Sequence, residues 1–236
     1  MPRKRKKAVQ LQQLSPPKIT LRTKGLTERQ KQLVRLAIDN NNKIIFISGP
    51  AGSTKTYIAV YSALKALKAN DKLDLLYVRT VIESADKGMG ALPGDIDEKF
   101  NPYMAPLDDK LRELLPSTTG VVNELIKSKR VQSLPINFLR GANWTDKIVV
   151  ADEAQNMTFK ELTTLITRLG ENSQLFICGD YMQSDINGKT GFKDMFGLFN
   201  DPESQKQGIQ CFSFGLQDIK RSKILRYIIK KLSSNS

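Results

Sequence analysis

Eight residues, Gly49 to Thr56, read GPAGSTKT and stand between the apolar run Ile44-Ile45-Phe46-Ile47 and a segment whose apolar residues, Tyr57, Ile58, Tyr61, Leu64 and Leu67, recur at helical spacing. A small-residue turn between a buried strand and a helix is the context a phosphate-binding loop requires. Gly49, Ala51 and Gly52 let the backbone curl so that successive N–H groups point inward and form an anion-binding nest. A helix starting near Lys55 adds its unpaired amides and the positive end of its dipole. The expectation is a nucleoside triphosphate site in which Gly49, Pro50, Ala51, Gly52, Ser53 and Thr54 wrap the phosphates. Lys55 reaches the β- and γ-phosphates, and the Thr56 hydroxyl ligates magnesium. Thr54 stands where the GxxxxGK[ST] pattern has its second glycine. A β-branched side chain so close to the phosphates predicts an altered affinity or turnover.

A chain of 236 residues is long enough for one sizeable α/β domain and too short for two large ones. No run approaches the roughly 18 apolar residues that span a membrane, so no membrane association is expected. Lys and Arg number 37 against 24 Asp and Glu, a formal net charge of +13 that calls for a polyanionic partner, with nucleic acid first. Part of the excess lies in the opening MPRKRKK, which no apolar core of about 7–15 residues follows, so a secretory signal is not expected. Residues 1–24 read as a basic arm, with structured sequence beginning near Ile19, and 25–236 as the folded domain. Cys178 and Cys211 lie in apolar runs without CxxC spacing, which reads as buried thiols in a reducing, cytoplasmic setting. The chain contains no histidine, which excludes histidine-based acid–base chemistry, serine triads and histidine metal sites together.

The spacing predicts a helix over about 27–40, opened by the capping box of Thr27 and Gln30, and strands at 43–48, 73–78, 136–139, 147–151, 174–178 and 209–214. A second capping box, Thr158 with Glu161, opens a helix carrying Leu162, Leu165, Ile166 and Leu169 and stopped at Gly170. A basic helix is expected over about 218–232. Residues 80–135, punctuated by glycine and proline, read as an irregular insertion. Strands alternating with helices imply an α/β fold with a parallel, doubly wound sheet, whose ligands sit at the carboxyl edge of the strands.

Two further polar motifs leave strand ends. Ile148-Val149-Val150-Ala151 runs into Asp152-Glu153, where the first carboxylate is placed to hold magnesium, usually through water, and the second to orient or deprotonate an attacking water. An exposed strand-end acidic pair is the structural alternative. Gly179-Asp180 leads to Gln183, which is placed to bond the γ-phosphate or the attacking water, the alternative being a plain Gly-Asp turn.

These motifs, with Arg79-Thr80-Val81-Ile82-Glu83, Leu92-Pro93-Gly94-Asp95, Phe138-Leu139-Arg140-Gly141, Asp152-Glu153-Ala154-Gln155-Asn156 and Thr167-Arg168-Leu169-Gly170, occur in the order seen in the PhoH-like ATPases. The chain resembles that family from about residue 25 to 230. PhoH-like proteins look like the first motor domain of superfamily 1 helicases, so the resemblance implies a RecA-like P-loop NTPase fold, a parallel sheet sandwiched by helices. It implies ATP hydrolysis with Mg2+, with Lys55, Glu153 and Gln183 catalytic and Thr56 and Asp152 at the metal. Gln30 is placed like an adenine-reading glutamine, or it completes only its capping box. Arg79 and Thr80 resemble a segment that touches nucleic acid, or they neutralise nearby carboxylates. Arg140, Arg168 and Arg221 are the candidates for an arginine finger supplied by a neighbour in a homo-oligomer, a hexameric ring by family resemblance, acting with RNA or single-stranded nucleic acid. Two alternatives remain at this level. One is an ATP-switched binding module with little hydrolysis, suggested by Thr54, and the other is a P-loop kinase.

Overall fold

Short apolar runs rich in β-branched residues form the strands, and the amphipathic stretches between them form the helices. The computed structural model describes residues 17–22, 25–80, 96–116, 120–139, 143–180, 191–220 and 222–233. In chain order these give α1 (Glu28–Ile38), β1 (Ile44–Ser48), α2 (Lys55–Ala69), β2 (Asp74–Arg79), α3 (Ile96–Leu114), α4 (Val121–Lys127), β3 (Val131–Pro135) and β4 (Lys147–Asp152). There follow α5 (Phe159–Ile166), β5 (Gln174–Gly179), α6 (Phe192–Leu198), α7 (Pro202–Lys206), β6 (Ile209–Ser213) and α8 (Lys223–Ser233).

The six strands make one sheet in the order β3-β2-β4-β5-β1-β6, and every neighbouring pair runs parallel. Alternate residues of a strand point to opposite faces, and both faces are covered. Ile45 and Ile47 of β1, Ile148 and Val150 of β4, and Phe176 and Cys178 of β5 pack beneath α1, α2, α3 and α4. Their neighbours Ile44, Phe46, Val149, Ala151, Leu175 and Ile177 pack against α5 and α6. Burial on both sides explains why these strands read as continuous apolar runs rather than as alternating ones. The fold is the α/β parallel sheet sandwiched by helices that the sequence predicts.

Both capping boxes form as expected, Thr27 with Gln30 on α1 and Thr158 with Glu161 on α5. The strand expected at 136–139 is displaced. β3 occupies Val131–Pro135, and Ile136–Phe138 form a 3-10 turn in which Phe138 is 65% exposed. β3 is an edge strand of half-buried alternation, and Pro135, which lacks an N–H, closes it. The insertion expected over 80–135 contains α3, α4 and β3; α3 runs through Pro102 and Pro106 and buries Leu107, Leu111 and Leu114 at i, i+4 and i+7. α6 and α7 had no counterpart in the sequence reading. α8 starts at Lys223, later than the expected 218, because Leu216–Asp218 form a 3-10 turn closed by a 2.8 Å bond from the Gly215 N–H to the Asp218 carboxylate.

Ile19 is buried in the core and the Arg22 N–H donates to the Leu114 carbonyl at 2.8 Å, so packing reaches into the segment assigned to the arm. Residues 1–16, 23 and 24 lie outside the described residues. Cys178 is buried as expected, whereas Cys211, on the edge strand β6, is only half-buried. No described helix is long and apolar enough to cross a membrane.

Candidate active site

Parallel register decides which residues meet. Ser48 pairs with Gly179 on one side and Ser213 on the other, and Arg79 pairs with Asp152. The segments that leave β1, β2, β4 and β5 therefore emerge at one edge of the sheet, where a ligand site is expected in such folds. A cavity of about 820 Å3 opens there, lined by Gln30, Lys55, Thr56, Tyr77, Asp152 and Asp180 among the described residues. That volume suits a small-molecule ligand.

All eight residues of the Gly49–Thr56 loop are described. Gly49 is required by close approach, since a Cβ there would lie 2.8 Å from the Phe214 Cβ and 2.9 Å from the Ser53 Oγ. Its N–H donates to the Gly179 carbonyl at 3.3 Å, and the Lys220 N–H donates to the Gly52 carbonyl at 3.0 Å, which fasten the loop at both sides. Pro50 accepts from the Ser53 N–H at 3.1 Å, Ala51 is exposed at the lip, and Ser53 is fully buried. Gly52 and Thr54 both take the left-handed conformation, at φ 78° and φ 71°. Glycine adopts it freely, but for a β-branched residue it is an outlier. Thr54 is held there by bonds of its hydroxyl, which donates to the Ser53 carbonyl at 2.5 Å and accepts from Gln30 Nε2 at 2.8 Å.

Lys55 is the first residue of α2, and its ammonium donates to the carbonyls of Gly49 at 2.5 Å and Pro50 at 3.1 Å. Burial pushes its pKa below the ordinary lysine value, an effect opposed chiefly by the nearby Asp180 carboxylate. One residue on, the Thr56 hydroxyl donates to Asp152 Oδ1 at 2.6 Å. The other carboxylate oxygen of Asp152, a residue only 7% exposed, accepts a short hydrogen bond from the Tyr77 hydroxyl. Burial and the adjacent Asp152 charge raise the Tyr77 pKa, so the phenol keeps its proton and remains a donor.

Glu153 follows in the left-handed region at φ 53°, its side chain 42% exposed toward the cavity. Gln155 Nε2 donates to it at 2.6 Å, and the Arg79 guanidinium lies 3.6 Å away. Gln155 also accepts from the Asp180 N–H at 3.1 Å, so one carboxamide ties the end of β4 to the end of β5.

Thr56 and Asp152 offer only oxygen donors, and among the described residues no group of three or more His, Cys, Asp or Glu side chains could hold a metal. That donor set fits Mg2+, which is bound through one or two protein oxygens together with substrate phosphates rather than in an all-protein cage.

Gln30 completes the capping box of α1, and it also lines the cavity, where its Nε2 donates to Thr54. Arg79 sits beside Glu153, as its carboxylate-neutralising alternative requires, and Thr80 is half-buried just beyond it. Arg168 is not brought to the cavity. Its carbonyl accepts from Trp144 ahead of β4, at the opposite edge of the sheet. Gln183, Arg140 and Arg221 lie outside the described residues. Tyr77, Gln155 and Asp180 are site residues to which the sequence reading gave no role. Tyr77 left one signal, a phenol inside the apolar run Leu75-Leu76-Tyr77-Val78 that needs a buried partner.

The sequence profile of the family described as PhoH-like protein matches residues 22–233. The PhoH-like protein of Bacillus subtilis is 32% identical over 215 residues, covering 90% of this chain and 66% of its own length. That of Synechocystis is 33% identical over 193 residues, covering 82% and 53%. Protein PhoH of Escherichia coli is 33% identical over 199 residues, covering 84% and 55%. The chain thus spans between half and two thirds of the length of these relatives. The crystal structure of Pif1 helicase from Candida albicans overlaps 82% of this chain and 40% of that one at 12% identity and a TM-score of 0.39, too loosely to carry an argument. The chain belongs to the PhoH-like protein family.

Tyr77→Phe removes one of the two hydroxyl donors to a buried carboxylate. It is expected to lower stability by about 1–3 kcal/mol in urea unfolding, and an unchanged midpoint would remove Tyr77 from this role. Lys55 carries a depressed pKa, and a polyphosphate favours its charged form. A triphosphate held at Lys55 is therefore expected to bind most tightly below that pKa and to be lost as pH rises through it, at a midpoint under the ordinary lysine value of 10.5. Affinities measured across alkaline pH that stay flat to that value would contradict the assignment.

Proposed function

We propose that this member of the PhoH-like family is an ATPase that turns over Mg-ATP at the carboxyl edge of the sheet, coupled to binding of RNA or single-stranded nucleic acid. The observation that carries the reading is the convergence on one cavity of the loop lysine Lys55, the hydrogen-bonded pair Thr56–Asp152 and the tethered carboxylate Glu153.

Backbone N–H groups of the loop and the start of α2 bind the phosphates, and Lys55 exchanges its loop carbonyls for the β- and γ-phosphate oxygens. Thr56 and, usually through water, Asp152 would hold Mg2+, which supplies charge neutralisation on the transferring phosphoryl group when bound. By donating its proton to Asp152, Thr56 keeps its oxygen lone pairs free for a cation. Tyr77 holds the second Asp152 oxygen and so fixes the carboxylate plane. Glu153, steadied by Gln155 and Arg79, accepts a proton from the attacking water, and Gln183 reports on the γ-phosphate. An arginine from a neighbouring copy completes the charge compensation. Arg168, at the far edge of its own sheet, is suited to serve only in such a neighbour, and a ring of identical subunits provides one. The net charge of +13 supports the nucleic-acid partner.

A second reading draws on Thr54. Its strained conformation at the phosphates favours a nucleotide-switched module that holds ATP and scarcely hydrolyses it. Glu153→Gln is expected to keep ATP binding while phosphate release falls about 100-fold or more. Equal turnover by wild type and variant removes Glu153 from its role, and a wild type that binds ATP without releasing phosphate establishes the switch instead.

A further inference from the structure

Thr54 does more than occupy a glycine position. The single hydroxyl proton of Thr54 is spent on the Ser53 carbonyl, so toward Gln30 this oxygen acts only as an acceptor. On the other side of the carboxamide, the Thr27 N–H donates to Gln30 Oε1 at 2.9 Å. The two contacts fix one orientation of the amide, because a flipped carboxamide would set donor against donor at Thr27 and acceptor against acceptor at Thr54. Gln30 is 4% exposed and lines the cavity. Its helix is anchored as well, with Arg29 donating to the Ser213 carbonyl at 2.7 Å and lying over the Phe212 ring at 4.2 Å.

A carboxamide has two donors and an oxygen with two lone pairs. With one of each consumed, Gln30 has one N–H and one lone pair left to offer. That pair complements an adjacent acceptor and donor, as adenine presents with a ring nitrogen next to its amino group. Guanine presents two acceptors on the same edge, which sets a carbonyl oxygen against the Gln30 oxygen.

We propose that Thr54 is a specificity-determining positioning residue that locks the Gln30 carboxamide so that the cavity selects adenine over guanine nucleotides. The proposal rests on the cavity holding a nucleoside triphosphate. The test measures dissociation constants for ATP, GTP and inorganic triphosphate with wild type, Thr54→Ser and Thr54→Gly. Glycine adopts the left-handed conformation without strain, so the loop of Thr54→Gly keeps its shape while losing the hydroxyl. Wild type and Thr54→Ser are expected to prefer ATP about tenfold or more. In Thr54→Gly the ATP-to-GTP affinity ratio falls toward unity, and inorganic triphosphate, which has no base, reports any change in phosphate binding that ATP and GTP share. A wild type that does not discriminate, a Thr54→Gly variant with the full preference, or a Thr54→Ser variant that has lost it overturns the proposal. If wild type binds none of the three ligands, it is the nucleotide reading that fails.

Discussion

Thr56 and Asp152 are 96 residues apart in sequence and share a 2.6 Å hydrogen bond. That bond joins the first turn of α2 to the tip of β4 across the intervening β5, and it exists only because the sheet is parallel and in register there. Parallel pairing sends every connection back over a face of the sheet, so the strand ends that carry the loop, the acidic pair and Asp180 gather at one edge, supported by helices on both sides. Breaking the register by a single residue would turn Asp152 toward the other face. The chemistry of the site is therefore a consequence of apolar strand packing some distance beneath it.

Above that platform the site is wired in two circuits. One runs from Thr56 through Asp152 to Tyr77, and in the proposed function it serves the metal end of a triphosphate. The other runs from Arg79 through Glu153 and Gln155 to the backbone of Asp180, and in the proposed function it serves the terminal phosphate. Lys55 stands between them, and the Asp180 carboxylate offsets part of the burial that would otherwise favour its neutral form. Thr54 adds a link that a glycine could not make. A left-handed, β-branched residue costs on the order of 1–3 kcal/mol, and its two hydroxyl contacts offset part of that, the one with Gln30 also tying the loop to α1.

Much of this was legible in the chain. The central strands announced themselves because burial on both faces demands unbroken apolar runs, and the two capping boxes marked the starts of α1 and α5. The loop and the Asp152-Glu153 pair were legible as positions because each follows an unbroken apolar run, and the fold brings both to one cavity. What stayed hidden depends on long-range contact. β3, half-buried at the edge and closed by Pro135, carries no such run, while the apolar Ile136 and Phe138 beyond it pointed to the wrong segment. The prolines of α3 masked the Leu107, Leu111, Leu114 spacing. Tyr77 and Gln155 act through partners on other strands, so no local pattern reveals them. Gln30 posed a choice between capping and adenine reading; the fold shows the capping contact at its oxygen and adds one that no local pattern reveals, from its nitrogen to Thr54.

The central claim is that a polyphosphate is held by this loop and its lysine. Calorimetric titration of Mg-ATP into the wild-type chain and Lys55→Ala tests it most directly. Saturable one-site binding by the wild type and at least a tenfold loss in the variant is the predicted result, the scale of a lost charge-assisted contact. Equal affinities, or no binding by the wild type at all, would contradict it.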